Sequence, residues 1–515
     1  MAEEQPDDQS QIIDFLSRPQ SYPHRPGTVE RIDTHGAIIF LAGDRAYKLK
    51  RAVKLAYLDF SGLGKRRAVC ERELVLNSRT APALYLGVLP VVREPGGGLR
   101  IGGDGEVADW LIEMRRFDQA QLFDRLAGAG KLSADLIEKL ARAISAFHAA
   151  APRATDAAWP QSLAQVTKTV TDALGHPELA DLGLAETREA LSAAITDGHA
   201  LLTARRDAGF VRRCHGDLHL KNIVLLDGEP CLFDALEFDE NLATVDVLYD
   251  LAFLIMDLWH RGLQAEANAI LNHYFRREVS EFEWAGLALL PLFLALRAGV
   301  RAMVGLDGLA IARGAKRERL LDEVKSYALL AKTLIAPSRP RLLAIAGLSG
   351  TGKTTVARAL APRIAPVPGA VHLRSDVERK MVFGVAPTDR LGPEGYAPIV
   401  NETIYKRLFS KADAVLRAGH SVIIDATFLQ PDCRDALFAL ARETGVPLRA
   451  IWLEADGAQM IRRVGERRND ASDADAAIVR EQLATMTGAP PGWLAADARG
   501  DAATTTARVA ALLGL

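Results

Sequence analysis

Residues 214–238, CHGDLHLKNIVLLDGEPCLFDALEF, set Asp217, Asn222 and Asp234 between short apolar runs. Moving a phosphoryl group onto an alcohol takes little covalent help. It takes alignment, neutralisation of charge and an acceptor for the hydroxyl proton. Asp217 suits that last role. Asn222, five residues on, offers an amide oxygen to a magnesium ion, and Asp234, across the DGEP turn, offers it a full negative charge. A second stretch, GLSGTGKTT at residues 347–355, fits GxxxxGK[ST] through Gly347, Gly352, Lys353 and Thr354. An apolar strand pattern, LLAIA, precedes it and a helix pattern, TTVARALA, follows it, which is the context this motif requires. Such a loop turns main-chain N–H groups toward phosphate oxygens at a helix N-terminus. Ser349, Gly350, Thr351 and Thr355 complete its lining, Lys353 reaches the outer phosphates, and Thr354 is the expected magnesium ligand.

Three further features surround the second loop. LRSDVERK places Asp376 and Arg379 three apart on one face of an opening helix. There an Asp accepts the proton of a substrate hydroxyl and an Arg grips the substrate. SVIID ends an apolar strand in Asp425, the place for a carboxylate that holds magnesium through water. MIRRVGERRNDASDAD reads as a helix leading into a polar turn, with Arg463, Arg467 and Arg468 set to close over the phosphates.

The frame that positions these groups follows from length and pattern. A chain of 515 residues exceeds one ordinary core, so two to four domains are expected. The formal net charge of -2 gives no global field toward nucleic acid or membrane. Cys70, Cys214, Cys231 and Cys433 are scattered without a CxxC pair and read as reduced thiols of a cytoplasmic protein. The N-terminus, MAEEQPDDQS, lacks the pattern of a signal peptide. WAGLALLPLFLAL, residues 284–296, is too short for a membrane span and holds Pro291, so it reads as a buried helix or helix pair and no membrane partner is expected. Residues 28–60 read as strand pairs, KRRAVCERELVLN as a helix and VADWLIEMRRF as a buried strand. From about residue 119 to 338 the pattern is mostly helical, broken by two short strands around DGEP. A small strand-rich lobe, about 28–116, is thus followed by a helical lobe, about 117–336. The prolines of IAPSRPRL place a boundary there, giving domains 1–336 and 337–515. Beyond it strand and helix alternate, which predicts a doubly wound parallel sheet.

The second half resembles the P-loop kinases of small molecules and 5′-hydroxyl ends: the gluconate kinase, polynucleotide kinase and zeta-toxin-like groups. The resemblance rests on GLSGTGKTT, SDVER and VIIDATF. It implies ATP-dependent phosphorylation of a hydroxyl, with Asp376 as base or substrate ligand. In the first half, D-x-x-x-x-N followed by a strand-borne Asp is the arrangement of the protein-kinase catalytic and metal loops. HGD in place of HRD, and FDALEF in place of DFG, resemble the aminoglycoside phosphotransferase and choline-kinase branch. The resemblance implies a lysine for the α/β-phosphates, and RAYKLK offers Lys48, with Lys50 as the alternative on the same strand face. It implies a helix glutamate that orients the lysine, Glu73 ahead of Glu71. It further implies adenine contacts from the main chain of Glu113, Met114 and Arg115, and a cover over the phosphates from THGAIIF, residues 34–40. Gly216 stands where a protein kinase carries the Arg that answers an activation-loop phosphate, which argues against control of that kind. His215 is expected to brace the loop rather than react, His219 likewise, and Asp246 and Asp250 to anchor loops from one helix.

The expected fold is therefore an α+β bilobal, protein-kinase-like N-terminal domain joined to an α/β P-loop C-terminal domain. The expected function is a tandem kinase using ATP and Mg²⁺ on small-molecule hydroxyl acceptors. Two alternatives stay open: one half is a nucleotide-binding regulatory module, or the second half phosphorylates nucleic-acid 5′-hydroxyl ends.

Overall fold

The structure is a computed structural model. It describes residues 7–515 except 35, 56, 57, 278, 311, 468, 469 and 487. Arg468, and His35 of the THGAIIF segment, lie outside the described residues. Two compact units make up the chain: Met1–Ser162 with Thr203–Leu254, and Leu163–Leu202 with Ile255–Leu515.

The first unit is built on a six-stranded antiparallel sheet in the order Val29–Asp33, Ala37–Ala42, Arg45–Lys50, Glu106–Arg115, Tyr85–Arg93, Leu99–Ile101. Alternation along RAYKLK sorts its side chains by face. Tyr47 and Leu49 join a core with Ile38, Phe40 and Leu111. Lys48 and Lys50 share the opposite face with Ala46, which packs with Cys70, Leu84 and Ile112. The helix Leu63–Asn77 covers that face and buries Arg66, Cys70, Glu73 and Asn77 at helical spacing.

The DGEP hairpin pairs Ile223–Leu226 with Glu229–Leu232. Its second strand is shorter than CLFDALEF suggests. Asp234 takes φ +61, which ends the extended run and sets the carboxylate on a turn beyond the strand. Asp246 also departs from expectation. It ends the strand Thr244–Asp246, paired with Val211–Arg213, and only Asp250 lies on the helix Val247–His260 that follows. Both charged oxygens of Asp246 take N–H groups of the fully buried Arg205, at 2.7 and 2.9 Å.

The second unit contains a five-stranded, all-parallel sheet in the order Val371–Arg374, Val422–Asp425, Leu342–Ala346, Leu448–Glu454, Leu494–Asp497. The central strand Leu342–Ala346 is buried along its whole length, as a parallel strand with both faces covered must be. WAGLALLPLFLAL resolves into two helices, Glu281–Ala285 and Leu290–Leu309, joined by a turn of 3₁₀ helix with Pro291 in the first turn of the second. The stretch Glu281–Leu309 is long and apolar enough to cross a membrane, and 67% of its apolar window is buried within the protein.

His420 precedes the strand Val422–Asp425 and is buried. Its Nε2–H donates to Gly369 O at 2.9 Å, while Nδ1 has no partner. Protonation would place an unpaired charge in the core, so burial lowers the pKa from 6.5 to about 4. The unfolded chain binds this proton below pH 6.5 and the folded one only near 4. Stability from this group is therefore complete above pH 6.5 and is lost as pH falls toward 4. At ~1.4 kcal/mol per unit the loss is roughly 3 kcal/mol. Denaturant unfolding at pH 7 and pH 4.5 should show His420→Gln, which keeps a donor for Gly369, losing less stability on acidification than the wild type by about that amount.

Two candidate active sites

The first site lies wholly within the first unit. Lys48 Nζ sits 2.7 Å from Glu73 Oε1 and 2.6 Å from Asp234 Oδ1. Burial works against the ammonium form, but the charges of Asp234 and Glu73 outweigh it and hold the Lys48 pKa well above its usual value. Asp234 is held low by the same contact: burial pushes it up, and the charge and hydrogen bond of Lys48 pull it further down. The structure thus brings Lys48, Glu73 and Asp234 together. Glu71 instead takes an exposed pair with Arg67.

Asn222 donates through Nδ2 to Asp217 main-chain O and to Oδ2, both at 2.9 Å. Its amide oxygen is left as the atom that could meet a cation. Hard oxygens of this kind fit magnesium. The loop that carries Asp217 is held from behind. Asp250 accepts the main-chain N–H of His215 at 3.1 Å and of Gly216 at 2.8 Å, and His215 Nε2–H donates to Phe233 O at 2.9 Å. Burial keeps His215 below its usual pKa, in the neutral form that makes this bond. Gly216 has φ +84, and a Cβ there would meet Leu236 and Ala243 at 3.0 Å, so a larger residue at this corner would be strained and crowded. His219 Nε2 lies 3.3 Å from Asp217 Oδ2, closer to the chemistry than the sequence suggested.

One expectation needs correction. Glu113 and Met114 lie inside the strand Glu106–Arg115, between Arg45–Lys50 and Tyr85–Arg93, opposite Tyr47 and Gly87 and opposite Ala46 and Tyr85. Their main-chain groups belong to the sheet, and the Glu113 side chain accepts from Tyr47 Oη at 3.1 Å. Arg115 N is engaged by Leu84 O as well, so the strand does not open into a base-binding connection at these residues.

Lys50, the alternative lysine of RAYKLK, joins the cluster, and two further contributors, Tyr85 and Asn77, carried no separate sequence signal. Lys50 is buried beside Lys48, pairs with Glu73, and lies 2.5 Å from Glu237 Oε1. Tyr85 Oη accepts Asp234 N–H at 3.2 Å, and Asn77 Oδ1 accepts Ala235 N–H at 2.9 Å, which fixes the turn that presents Asp234.

The second site lies wholly within the second unit, around a cavity of about 860 Å³. Ser349, Gly350, Thr351, Gly352, Lys353, Thr354 and Thr355 line it, with Asp376, Arg379, Arg463 and Arg467. Gly347 does not line it. Its role is packing: a Cβ there would stand 2.6 Å from Leu453 O. Ser349 N–H, expected to face phosphate, donates to Gln482 Oε1 at 2.8 Å. Lys353 Nζ donates to Leu348 O at 3.0 Å, and burial lowers its pKa.

Thr354 Oγ1 donates to Asp425 Oδ2 at 2.6 Å, so hydroxyl and carboxylate meet at the head of the helix Lys353–Leu360. This oxygen pair also fits magnesium. Burial pushes Asp425 up, but a hydrogen bond from His372 and the charges of Arg374 and Lys353 bring its pKa to about 2. His372 and Arg374, on the neighbouring strand, were not read as site residues.

Arg379 is committed to the wall of the cavity. Its guanidinium donates to Gly395 O and to Asn401 Oδ1, at 2.5 and 2.7 Å, and lies over the Tyr396 ring. Arg463 bridges from the helix Gly457–Glu466 to the loop carbonyls of Gly350 and Thr351, and to Gly500 O at 2.7 Å. Arg467 follows the end of that helix.

Residues 92–290 match the family model described as the phosphotransferase enzyme family, and residues 342–489 match the one described as an AAA domain. An uncharacterized protein of Mycobacterium tuberculosis (strain ATCC 25618 / H37Rv) is 29% identical over 462 residues, covering 87% of this chain and 88% of that one. A gluconokinase of Gluconobacter oxydans (strain 621H) is 26% identical over 151 residues, covering 29% of this chain and 76% of the enzyme. A solved choline/ethanolamine kinase family protein of Mesorhizobium loti aligns with 62% of this chain and 99% of its own at 15% identity and a TM-score of 0.39.

Breaking the lysine cluster tests how the first site is held. Lys50→Met leaves Glu73 and Glu237 buried without that cation and should destabilise the protein by about 3–5 kcal/mol. The double change Lys50→Met/Glu237→Leu should recover part of that loss in thermal or denaturant unfolding.

Proposed function

From the premise that this chain joins a kinase-like phosphotransferase domain to a P-loop kinase-type domain, we propose that both centres work, each moving the γ-phosphoryl group of ATP onto a hydroxyl of a small molecule. The observation that carries this reading is the separateness of the two sets. Each unit holds its own lysine, proton acceptor and pair of hard oxygens, and no residue is shared.

In the first centre Lys48, set by Glu73, binds the α/β-phosphates. Asn222 and Asp234 hold the metal. Asp217 Oδ takes the acceptor's hydroxyl proton as the new P–O bond forms and the bond to the ADP leaving group breaks. In the second centre the amides of residues 350–355 and Lys353 cradle the phosphates, Thr354 and Asp425 hold the metal, and Asp376 takes the proton. Arg463 and Arg467 stand over the phosphate side, and Arg379 shapes the acceptor side. Magnesium, when bound, screens the charge on the transferring group.

The size of the second cavity, about 860 Å³, suits a small acceptor. Its walls include Asp376, Asn401, Glu402, Gln430 and Asp432, a set that favours a polyhydroxylated compound over a polyanion. A net charge of -2 does not favour a nucleic-acid acceptor either.

Mass spectrometry of a cell extract incubated with the protein and labelled ATP would identify the products. Asp217→Asn should lower formation of one product by roughly 10²–10⁴ and leave the other untouched. Lys353→Ala should do the reverse. If Asp217→Asn leaves every product unchanged, the first unit is a regulatory nucleotide-binding module.

A further inference from the structure

Asp425 is held from the side by residues that no phosphate contact explains. The strand Val371–Arg374 runs parallel to Val422–Asp425, with Arg374 opposite Asp425. From it, His372 Nε2 comes within 3.3 Å of Asp425 Oδ2, the same oxygen that takes the Thr354 hydroxyl. The position of this ring is set by its own main chain, whose N–H donates to Asn272 Oδ1 at 2.7 Å.

Asn272 lies on the helix Gln264–Tyr274. That helix falls within the stretch that matches the phosphotransferase family and outside the one that matches the AAA domain. It nevertheless belongs to the same compact unit as the P-loop sheet. The contact is polar and specific. Asn272 Nδ2 donates to Ala370 O at 3.3 Å, and Asn268, one turn earlier and buried, donates to the same carbonyl at 3.1 Å. One amide therefore accepts from residue 372 while two donate to residue 370, which fixes the strand's register against the helix. Gly369 allows the approach. Its φ is +113, and a Cβ there would stand 2.3 Å from Ala361 O and 2.8 Å from Asn268 Nδ2. A helix packed merely for burial needs apolar contact; this one addresses the main chain that leads to a site residue.

We propose that the helix Gln264–Tyr274 is a positioning element of the P-loop centre: Asn272 sets the main chain of His372, and His372 sets the carboxylate of Asp425. The proposal rests on the reading of Thr354 and Asp425 as the metal-holding pair. A carboxylate oxygen with a lateral donor keeps one rotamer. Without that donor only Thr354 and Arg374 steady it, and outer partners of this kind are typically worth 10–100-fold in metal affinity.

The test uses the full chain and Mn²⁺ binding read by electron paramagnetic resonance, with a non-hydrolysable ATP analogue present. The P-loop class of sites is the one that Thr354→Ala removes. His372→Leu should weaken that class roughly 10–100-fold and Asn272→Leu about tenfold. Asn272→Asp, which keeps an acceptor for His372 N–H but loses the donor to Ala370 O, should weaken it less than Asn272→Leu does. Metal-free binding of the analogue should be unchanged in all three. If both leucine variants keep wild-type Mn²⁺ affinity, even with lowered melting temperatures, the contact is a structural seam and the proposal is wrong. If Thr354→Ala removes no class of Mn²⁺ site, the assignment of Thr354 and Asp425 fails first, and the proposal falls with it.

Discussion

Two ammonium groups, Lys48 and Lys50, lie buried on one strand face, and much of the first unit is arranged around the carboxylates that make this tolerable. A buried cation without partners costs several kcal/mol. Glu73 answers both lysines from the helix Leu63–Asn77, Asp234 answers Lys48 from the turn after the hairpin, and Glu237 answers Lys50 three residues later. Sheet, helix and loop are thereby drawn to one point. The charges suited to handling a triphosphate are also the ones that align the elements, so the site is organised by the fold's own electrostatics.

The second unit meets the same demand by other means. The loop that lines its cavity offers mostly main-chain amides at a helix N-terminus, and the lysine of that loop rests on one of the loop's own carbonyls. Main-chain dipoles need no counter-charge to be buried. The carboxylate that matters, Asp425, ends a parallel strand and is steadied by its neighbours His372 and Arg374.

Much of this was legible in the chain, and the parts that were not share a physical reason. Glycine spacing before a helix, alternation along RAYKLK and the interval from Asp217 to Asn222 are local patterns, and local patterns survive without the fold. The parallel sheet was visible as alternation of strand and helix, although Leu494–Asp497, short and half exposed, gave no apolar run to read. His372 and Asn272 sit in elements that carry other polar residues, and what each one touches is decided by tertiary packing alone. Asp246 fooled the helical spacing because the chain changes from strand to helix at the next residue. Glu113 and Met114 looked like a connection between lobes, but the strand continues through them, and hydrogen bonding to both neighbours is invisible in sequence.

The carbonyl of Ala370 carries two asparagine amides from a helix about a hundred residues earlier. A gene fragment begun in the proline-rich stretch near residue 337 would keep every glycine of the phosphate loop, yet it would leave that carbonyl, and the N–H of His372, to find water instead. Such a truncation would look complete on paper while presenting a raw polar edge on the strand that flanks Asp425. The portable piece of this protein is longer than its best-known signature.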